Sequence, residues 1–296
     1  MENILTKQFY RQRKDFEDSC AGRDAGLTFP EGVICSTDIA YADDGIKAHM
    51  LDIYRPEDSQ EKILPVIINV HGGGLIIGNK EFNRYFCALL CKKGFLVYSI
   101  EYRLIPDCLI YDQIADVFMA MDYIKERLAA DGGDSSHVYM AGDSGGACLI
   151  TYANAIQNST NIARAANVTP SGLRINALGL ISGMFYTSRF DKIGLFLPKY
   201  LYGRDYKKTS FAKYVNPENR ELLNSLAPVW LVTSHNDFLR RYTTDFEKAL
   251  TRAEREHELV VFPKNKKLTH AFSVFEPFLP ESSAVIDMMV EYLRKF

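Results

Sequence analysis

The stretch Gly142–Gly146, GDSGG, decides how the rest of the chain is interpreted. It follows HVYMA, which has the apolar character of a short strand, and precedes ACLITYANAIQ, which is rich in helix-forming residues and lacks proline. Gly142 and Gly146 suit a tight turn, because a Cβ atom at either position would collide with the strained backbone around the serine. The stretch therefore predicts a strand, a sharp turn that presents Ser144, and a helix.

Two unrelated kinds of enzyme carry an activated serine in such a motif. Chymotrypsin-like proteases are all-β and carry their base and acid upstream of the serine, whereas a nucleophile elbow requires a strand, a turn and a helix. The upstream histidines here are His49, His71 and His137, which lie within or beside predicted strands, so none is a persuasive base. The surrounding sequence therefore favours the elbow.

Short apolar runs alternate with amphipathic helical patterns along the chain. Near-continuous apolar strands of this kind are typical of a parallel sheet that is buried on both faces. The alternation predicts an α/β fold with right-handed crossovers. The predicted strands are Val66–Val70, Phe95–Ile100, Val138–Ala141, Leu178–Ile181, Val229–Thr233 and Leu259–Phe262.

Other segments complete this picture. Val33–Ala40 and Ala48–Tyr54 flank Asp43-Asp44-Gly45, which predicts an antiparallel hairpin at the edge of the sheet. Apolar residues at helical spacing predict one helix around residues 114–128 and a last helix near the C-terminus.

Two segments depart from the alternation. Residues 1 to about 30 are charged and helical in pattern, and residues from about 184 to 217 are dense in phenylalanine and tyrosine. An aromatic insertion between two strands predicts a lid over an apolar pocket, with an ordinary helical excursion as the alternative.

The run His71–Gly74, HGGG, directly follows the predicted strand Val66–Val70. Glycine runs after strands also bind phosphates, but the spacing is not G-x-G-x-x-G and no lysine followed by serine or threonine comes after it. The alternative is an oxyanion hole, in which backbone N–H groups stabilise the negative charge of a tetrahedral intermediate. Gly73 and Gly74, together with Gly145 after the nucleophile, are the predicted donors.

A base and an orienting acid should follow the serine in the order acid, then histidine. His270 lies between the last predicted strand and the last helix, and Asp237 lies just past the end of VWLVT, so both should reach the carboxyl edge of the sheet. We therefore predict a catalytic set of Ser144, Asp237 and His270. The other downstream candidates fit less well. His235 lies beside Asp237 on a single loop, too close to be its partner, and the rest are expected on the surface, on a helix face or in the lid: His257, Asp191, Asp205 and Asp245.

The charge, the apolar runs and the cysteines of the chain bear on its partners, its location and metal binding. The formal net charge is −2, which gives no reason to expect nucleic acid or an anionic membrane as a partner. The charged N-terminus lacks a signal-peptide core and no apolar run is long enough to span a bilayer, so we expect a cytoplasmic protein. The cysteines have no metal-binding spacing, so no metal site is expected; they are Cys20, Cys35, Cys87, Cys91, Cys108 and Cys148.

The sequence resembles the hormone-sensitive-lipase group of α/β-hydrolases, the carboxylesterase and acetyl-esterase type. The matching residues are HGGG at His71–Gly74 and GDSGG at Gly142–Gly146, joined by EYRL at 101–104, NDFL at 236–239 and THAF at 269–272. The resemblance covers nearly the whole chain. It implies an eight-stranded, mostly parallel sheet in one domain, a cap built from residues 1–30 and 184–217, and hydrolysis of small short-acyl esters without a cofactor.

Some positions differ from the family pattern. The usual GDSAGG is GDSGGA here, and DYRL is EYRL. Ala271 follows His270 where glycine is common, and Arg241-Tyr242 replace an acidic pair that often follows the triad acid. The last change alters the charge near the cap, so a relative's substrate preference does not transfer directly.

Three other functions remain open on the same fold. One is a deacetylase of acetylated sugars, and another is a formamidase or amidase, since both use the same triad. The third is a non-catalytic protein that binds a small molecule under the cap, as in family members that lost the catalytic histidine. A homodimer formed through an edge strand is compatible with the resemblance.

Overall fold

The computed structural model describes residues 4–59 and 62–296. In this part of the chain, eight strands form one sheet. The strands are β1 (Val33–Ala40), β2 (Met50–Pro56), β3 (Leu64–Val70), β4 (Leu96–Ile100), β5 (Gly133–Asp143), β6 (Ala177–Ile181), β7 (Val229–Ser234) and β8 (His257–Phe262).

Helices connect and cover these strands. The α-helices are α1 (Ile4–Asp24), α2 (Arg84–Lys92), α3 (Ile110–Arg127), α4 (Ser144–Asn158), α5 (Thr160–Ala166), α6 (Lys192–Phe196), α7 (Pro198–Leu201), α8 (Arg220–Asn224), α9 (Arg240–Arg252), α10 (Phe272–Phe275) and α11 (Pro280–Leu293). Short 3-10 helices occupy Lys80–Asn83, Tyr206–Lys208 and Ser210–Tyr214.

The strand order is β1-β2-β4-β3-β5-β6-β7-β8. From β4 to β8, neighbouring strands in this order are parallel. Strand β2 runs antiparallel to both β1 and β4, and β1 lies at the edge of the sheet. The predicted mostly parallel, eight-stranded α/β sheet and its antiparallel hairpin at the edge are confirmed.

The sheet is buried on both faces, as the apolar strands predicted. In β3, Val66 and Ile68 belong to one buried cluster, whereas Ile67 between them belongs to the other. Successive side chains of a strand point to opposite faces, so a strand covered on both sides is apolar at most positions. Helices α3 and α4 cover the first face, and α2 and α11 cover the second.

The two segments predicted to form a cap contact each other. The first is α1, and the second contains α6, α7 and two 3-10 turns between β6 and β7. Phe9 of α1 packs edge-on against Tyr200 of the inserted segment, with ring centroids 5.2 Å apart. Residues 1–3 of the predicted N-terminal part lie outside the described residues.

Cys87 and Cys91 are fully buried in α2 and pack there as small apolar side chains. In the described part of the chain, the structure contains no helix with the length and apolarity needed to traverse a bilayer.

Candidate active site

The predicted elbow is present at the carboxyl end of β5. The strand ends at Asp143 and α4 begins at Ser144, with no intervening loop. Ser144 has a φ of 49°, in the left-handed region that residues with side chains rarely adopt. This conformation presents the hydroxyl at the rim of the sheet while the residue remains 7% exposed.

Gly146 is required by the close approach of two backbone segments. A Cβ atom at this position would lie 2.1 Å from the carbonyl oxygen of Val70 and 2.5 Å from that of His71. Both oxygens belong to backbone that cannot rotate away as a side chain could. The first turn of α4 therefore packs against the end of β3 only because residue 146 has no side chain.

Gly146→Ala should lower the free energy of unfolding by about 1–3 kcal/mol, as expected for forcing one extra carbon into a packed interior. The matched control is Gly22→Ala in α1, where an added Cβ would meet nothing within 4 Å. That substitution should stabilise the protein by about 0.5–1 kcal/mol, because alanine is the better helix former. Urea denaturation of both variants checks the prediction, and equal effects would contradict it.

Of the three side chains that the sequence singled out, His270 lies within hydrogen-bonding distance of both Ser144 and Asp237. The distance from His270 Nε2 to Ser144 Oγ is 2.9 Å, and that from His270 Nδ1 to Asp237 Oδ1 is 2.7 Å. His270 follows β8 and Asp237 follows β7, so both loops leave the same edge of the sheet as the elbow. The arrangement is a continuous chain from a hydroxyl through an imidazole to a carboxylate.

Asp237 is fixed by neighbours other than the histidine. Its Oδ1 accepts a hydrogen bond from the backbone N–H of Leu239 at 2.8 Å, and its Oδ2 accepts one from Thr233 Oγ1 at 2.8 Å. Burial alone would raise the pKa of this carboxyl, but the hydrogen bond and charge of His270, with hydrogen bonds from Ser182 and the Leu239 N–H, lower it below its ordinary value. The group is therefore a carboxylate that can only accept hydrogen bonds.

The ionised carboxylate determines which nitrogen of the ring carries the proton. Since Asp237 has no proton to donate, Nδ1 of His270 must donate to it, and Nε2 is left as an acceptor for the hydroxyl of Ser144. This is the tautomer that a general base needs in order to remove the proton of the serine.

The glycine run lies beside the nucleophile. Gly73 has a φ of 102°, which only glycine adopts without strain. Within residues 4–59 and 62–296, the backbone N–H groups of Gly73 and Gly74 have no hydrogen-bond partner. A Cβ atom at Gly145 would lie only 2.9 Å from the backbone nitrogen of Gly74, so the two predicted parts of the oxyanion hole are in contact.

The side chain of His71 is buried beneath the glycine run and supports that loop. It is fully buried, and its Nε2 lies 2.9 Å from Glu101 Oε1. Burial alone would lower the pKa of the His71 imidazole, but the Glu101 carboxylate raises it above its ordinary value. Tyr102 adds a hydrogen bond from its hydroxyl to the carbonyl oxygen of His71 at 2.8 Å. The EYRL motif therefore supports the loop.

Sequence reasoning missed the role of Asp143 and its partner Asn83. Asp143 Oδ1 accepts hydrogen bonds from the N–H of Gly72 at 3.0 Å and from Asn83 Nδ2 at 2.9 Å. Burial raises the pKa of this carboxyl above its ordinary value, although Asn83 acts in the opposite direction. The carboxyl joins the elbow to the glycine run, and the adjacency of Asp143 to Ser144 was the available signal.

Phe238 is a second residue that the sequence did not single out. Its ring lies over the imidazole of His270, with centroids 4.4 Å apart, although the residue is 74% exposed. This exposed phenylalanine covers one side of the imidazole that faces Ser144 and Asp237. Its position directly after Asp237 is the only signal that the sequence offered.

The alternative histidine and acid candidates have other contacts. His235 is exposed and does not contact the serine. Asp191 accepts a hydrogen bond from the hydroxyl of Tyr242 at 2.6 Å, and Asp245 forms an ion pair with Arg189 at 2.9 Å. These carboxylates attach the inserted segment to α9.

An elbow serine on the carboxyl edge of a mostly parallel eight-stranded sheet, with an acid and a histidine following in that order, defines the class of α/β-hydrolases. The profile of one protein family, described as the alpha/beta hydrolase fold, matches residues 67–273. The chain belongs to this family, and the resemblance to the hormone-sensitive-lipase group is confirmed.

Two relatives carry names that describe ester hydrolysis. One is a probable isoprenylcysteine alpha-carbonyl methylesterase from Oryza sativa subsp. japonica, 29% identical over 58% of this chain and 44% of its own length. The other is esterase LipQ from Mycobacterium tuberculosis, 32% identical over 40% of this chain and 28% of its own length. The matched region thus spans less than half of either relative.

Among solved structures, the fold is shared over the full chain with esterase B from Lactobacillus rhamnosis, inhibited by a C4-C4 SN3 tributyrin phosphonate. The TM-score is 0.92 at 22% sequence identity, and the alignment covers 100% of this chain and 96% of that one. At this identity, the likeness shows a common fold.

Proposed function

We propose that this protein is a serine carboxylesterase that hydrolyses small carboxylic esters through an acyl-enzyme, without a cofactor. The observation that carries the proposal is the hydrogen-bonded chain from Ser144 through His270 to Asp237, beside two unpaired N–H groups of the glycine run. The names of the two relatives and of the structural neighbour support the same reaction.

In this mechanism, each of these residues has a defined role. His270 Nε2 takes the proton of Ser144 as Oγ attacks the ester carbonyl, and the Asp237 carboxylate stabilises the imidazolium that forms. The N–H groups of Gly73, Gly74 and Gly145 donate to the oxyanion, at the positive end of α4. The imidazolium then protonates the leaving alcohol, and His270 activates a water that releases the acid.

The expected acyl chain is short, about two to eight carbons, because the aromatic inserted segment begins directly at the nucleophile and limits the space beside it. The N–H of Met184, at the start of that segment, donates to the carbonyl oxygen of Ser144 at 2.9 Å. The structural neighbour's tributyrin phosphonate, which carries four-carbon chains, supports the same range. The buried aromatic side chains of residues 184–217 would close the acyl site together with α1, whereas the exposed lysines of that segment would take no part.

A panel of p-nitrophenyl esters with acyl chains of increasing length tests this proposal. We expect kcat/KM to be highest between acetate and octanoate and to fall at least about tenfold at laurate, since a longer chain would have to displace packed cap residues. The control is the same panel with Ser144→Ala, which reports the uncatalysed rate. A maximum at laurate would contradict the short-acyl assignment while leaving the triad intact.

The panel also includes an acetylated sugar and an N-formyl amide, because the same triad serves deacetylases and amidases. A higher kcat/KM for either compound than for any simple ester would transfer the assignment to that substrate class. No hydrolysis of any compound by the folded protein would instead indicate a protein that only binds small molecules.

A further inference from the structure

The inserted segment of residues 184–217 is strongly basic, although the chain as a whole is not. It contains seven lysines and arginines and two aspartates, for a net charge of +5, so the remainder of the chain carries −7. Its exposed cations are Lys192, Lys199, Arg204, Lys207, Lys208 and Lys213. The overall charge of −2 therefore conceals a pronounced separation of charge.

Several of these cations line one open groove. The groove has a volume of about 530 Å³ and is lined by Lys199, Arg204, Lys207 and Lys208, together with Leu195 and Pro198. Lys208 has an ion-pair partner in Asp205 at 2.8 Å, and that aspartate is itself 77% exposed. One exposed carboxylate cannot neutralise four cations, so the groove presents a positive potential to the solvent.

The same surface exposes large apolar side chains. Phe190 is 92% exposed, Leu195 57% and Phe196 54%, all within a stretch of seven residues. Helix α6, which contains the last two, has no buried residue in its length. Three strongly exposed apolar side chains in one short stretch, one of which lines the basic groove, are unusual for a surface that faces only water.

This surface has a fixed position relative to the nucleophile. Arg189 pairs with Asp245 of α9 at 2.9 Å, and Asp191 accepts hydrogen bonds from Tyr242 and from the first N–H groups of α6. These contacts attach the segment that carries the exposed apolar residues to α9, the helix that follows the loop of Asp237 and Phe238.

We propose that this basic and apolar surface, which we call the cap patch, docks onto an anionic lipid bilayer. The cap patch consists of Phe190, Leu195 and Phe196 with the cations Lys199, Arg204, Lys207 and Lys208. The apolar side chains enter the boundary between headgroups and acyl chains, and the cations contact anionic headgroups. A bilayer satisfies both features at once, whereas a nucleic-acid backbone offers leucine no apolar partner. The proposal goes beyond ester hydrolysis and requires no turnover.

Sedimentation with lipid vesicles tests the proposal. The protein should bind vesicles that contain 30% phosphatidylglycerol in phosphatidylcholine, should bind pure phosphatidylcholine far more weakly, and should dissociate as salt is added. Lys207→Glu/Lys208→Glu should lower the partition coefficient at least about tenfold, since each cation near an anionic surface contributes roughly a fivefold factor. Phe190→Ser/Leu195→Ser/Phe196→Ser should also weaken binding.

Matched variants elsewhere on the surface serve as controls. Lys264→Glu/Lys266→Glu reverses two exposed cations outside the inserted segment, and Ile63→Ser removes an apolar side chain that is 75% exposed. Both should bind vesicles as the wild type does. Equal losses in the control and cap-patch variants, or no binding to phosphatidylglycerol vesicles, would overturn the proposal. So would binding to duplex DNA without binding to vesicles.

Vesicle binding and ester hydrolysis can be tested independently of each other. Ser144→Ala should bind vesicles as tightly as the wild type, and Lys207→Glu/Lys208→Glu should hydrolyse soluble p-nitrophenyl acetate at the wild-type rate within about twofold, because neither lysine touches the serine, histidine or glycine run. Vesicle binding by a protein without esterase activity would preserve this inference and refute the other.

Discussion

Replacing Ser144 by alanine should lower kcat for a short p-nitrophenyl ester on the order of 10⁵-fold, because the side chain that forms the acyl-enzyme is removed. The remaining oxyanion donors would still polarise the carbonyl, so a small rate above that of water should persist. Steady-state kinetics with p-nitrophenyl butyrate, together with mass spectrometry of the protein after an organophosphonate probe, measures the effect. The wild type should gain the mass of one phosphonyl group, and the variant none.

The fold of Ser144→Ala should be unchanged. Alanine keeps the Cβ atom that the left-handed conformation already accommodates, and the lost hydroxyl contacts His270 at the rim of the site rather than the core. Unfolding by urea should therefore give a free energy within about 1 kcal/mol of the wild type. Activity above a few per cent in a folded variant would refute Ser144 as the nucleophile.

Much of the site could be predicted because each loop carries a local signal. The glycines around Ser144 describe a turn that no other residue fits, and an apolar strand precedes the serine, Asp237 and His270 in turn. The carboxyl ends of parallel strands meet at one edge of a sheet, so residues 126 positions apart could be expected to meet. Chain order and strand direction were sufficient.

Supporting contacts were harder to anticipate. The hydrogen bonds of Asp143 with Gly72 and Asn83 depend on how an elbow, a glycine run and a 3-10 helix pack, and none of these distances follows from spacing. Phe238 is a similar case, since its ring orientation over His270 is set by the loop conformation. Contacts between loops that are distant in sequence leave no periodic pattern.

The charge of the chain illustrates a different limit. A net charge of −2 gave no reason to expect an anionic membrane as a partner, but a total says nothing about where the charges lie. The inserted segment gathers seven cations, and its structure adds the exposure of Phe190, Leu195 and Phe196. Counting charge by segment would have revealed the first feature, whereas the second required coordinates.

Replacing His270 by asparagine should lower kcat by a similar factor, on the order of 10⁵. The amide of asparagine can still donate to Asp237 near the position of Nδ1, so the buried carboxylate keeps a partner, but no atom at the position of Nε2 can accept the serine proton. The matched control is His235→Asn, at an exposed histidine that lies on the same loop as Asp237. It should retain the wild-type kcat within about twofold, because its side chain does not contact the serine.

The double variant Ser144→Ala/His270→Asn gives the most discriminating result. If the serine and the histidine act as one unit, removing both should cost no more than removing either alone, since each single change already eliminates the same step. Stopped assays over several days, at equal enzyme concentrations, can resolve the three residual rates. A further loss of about 10³-fold or more in the double variant would mean that His270 assists hydrolysis without Ser144. The 2.9 Å contact between Nε2 and Oγ would then not be the catalytic one.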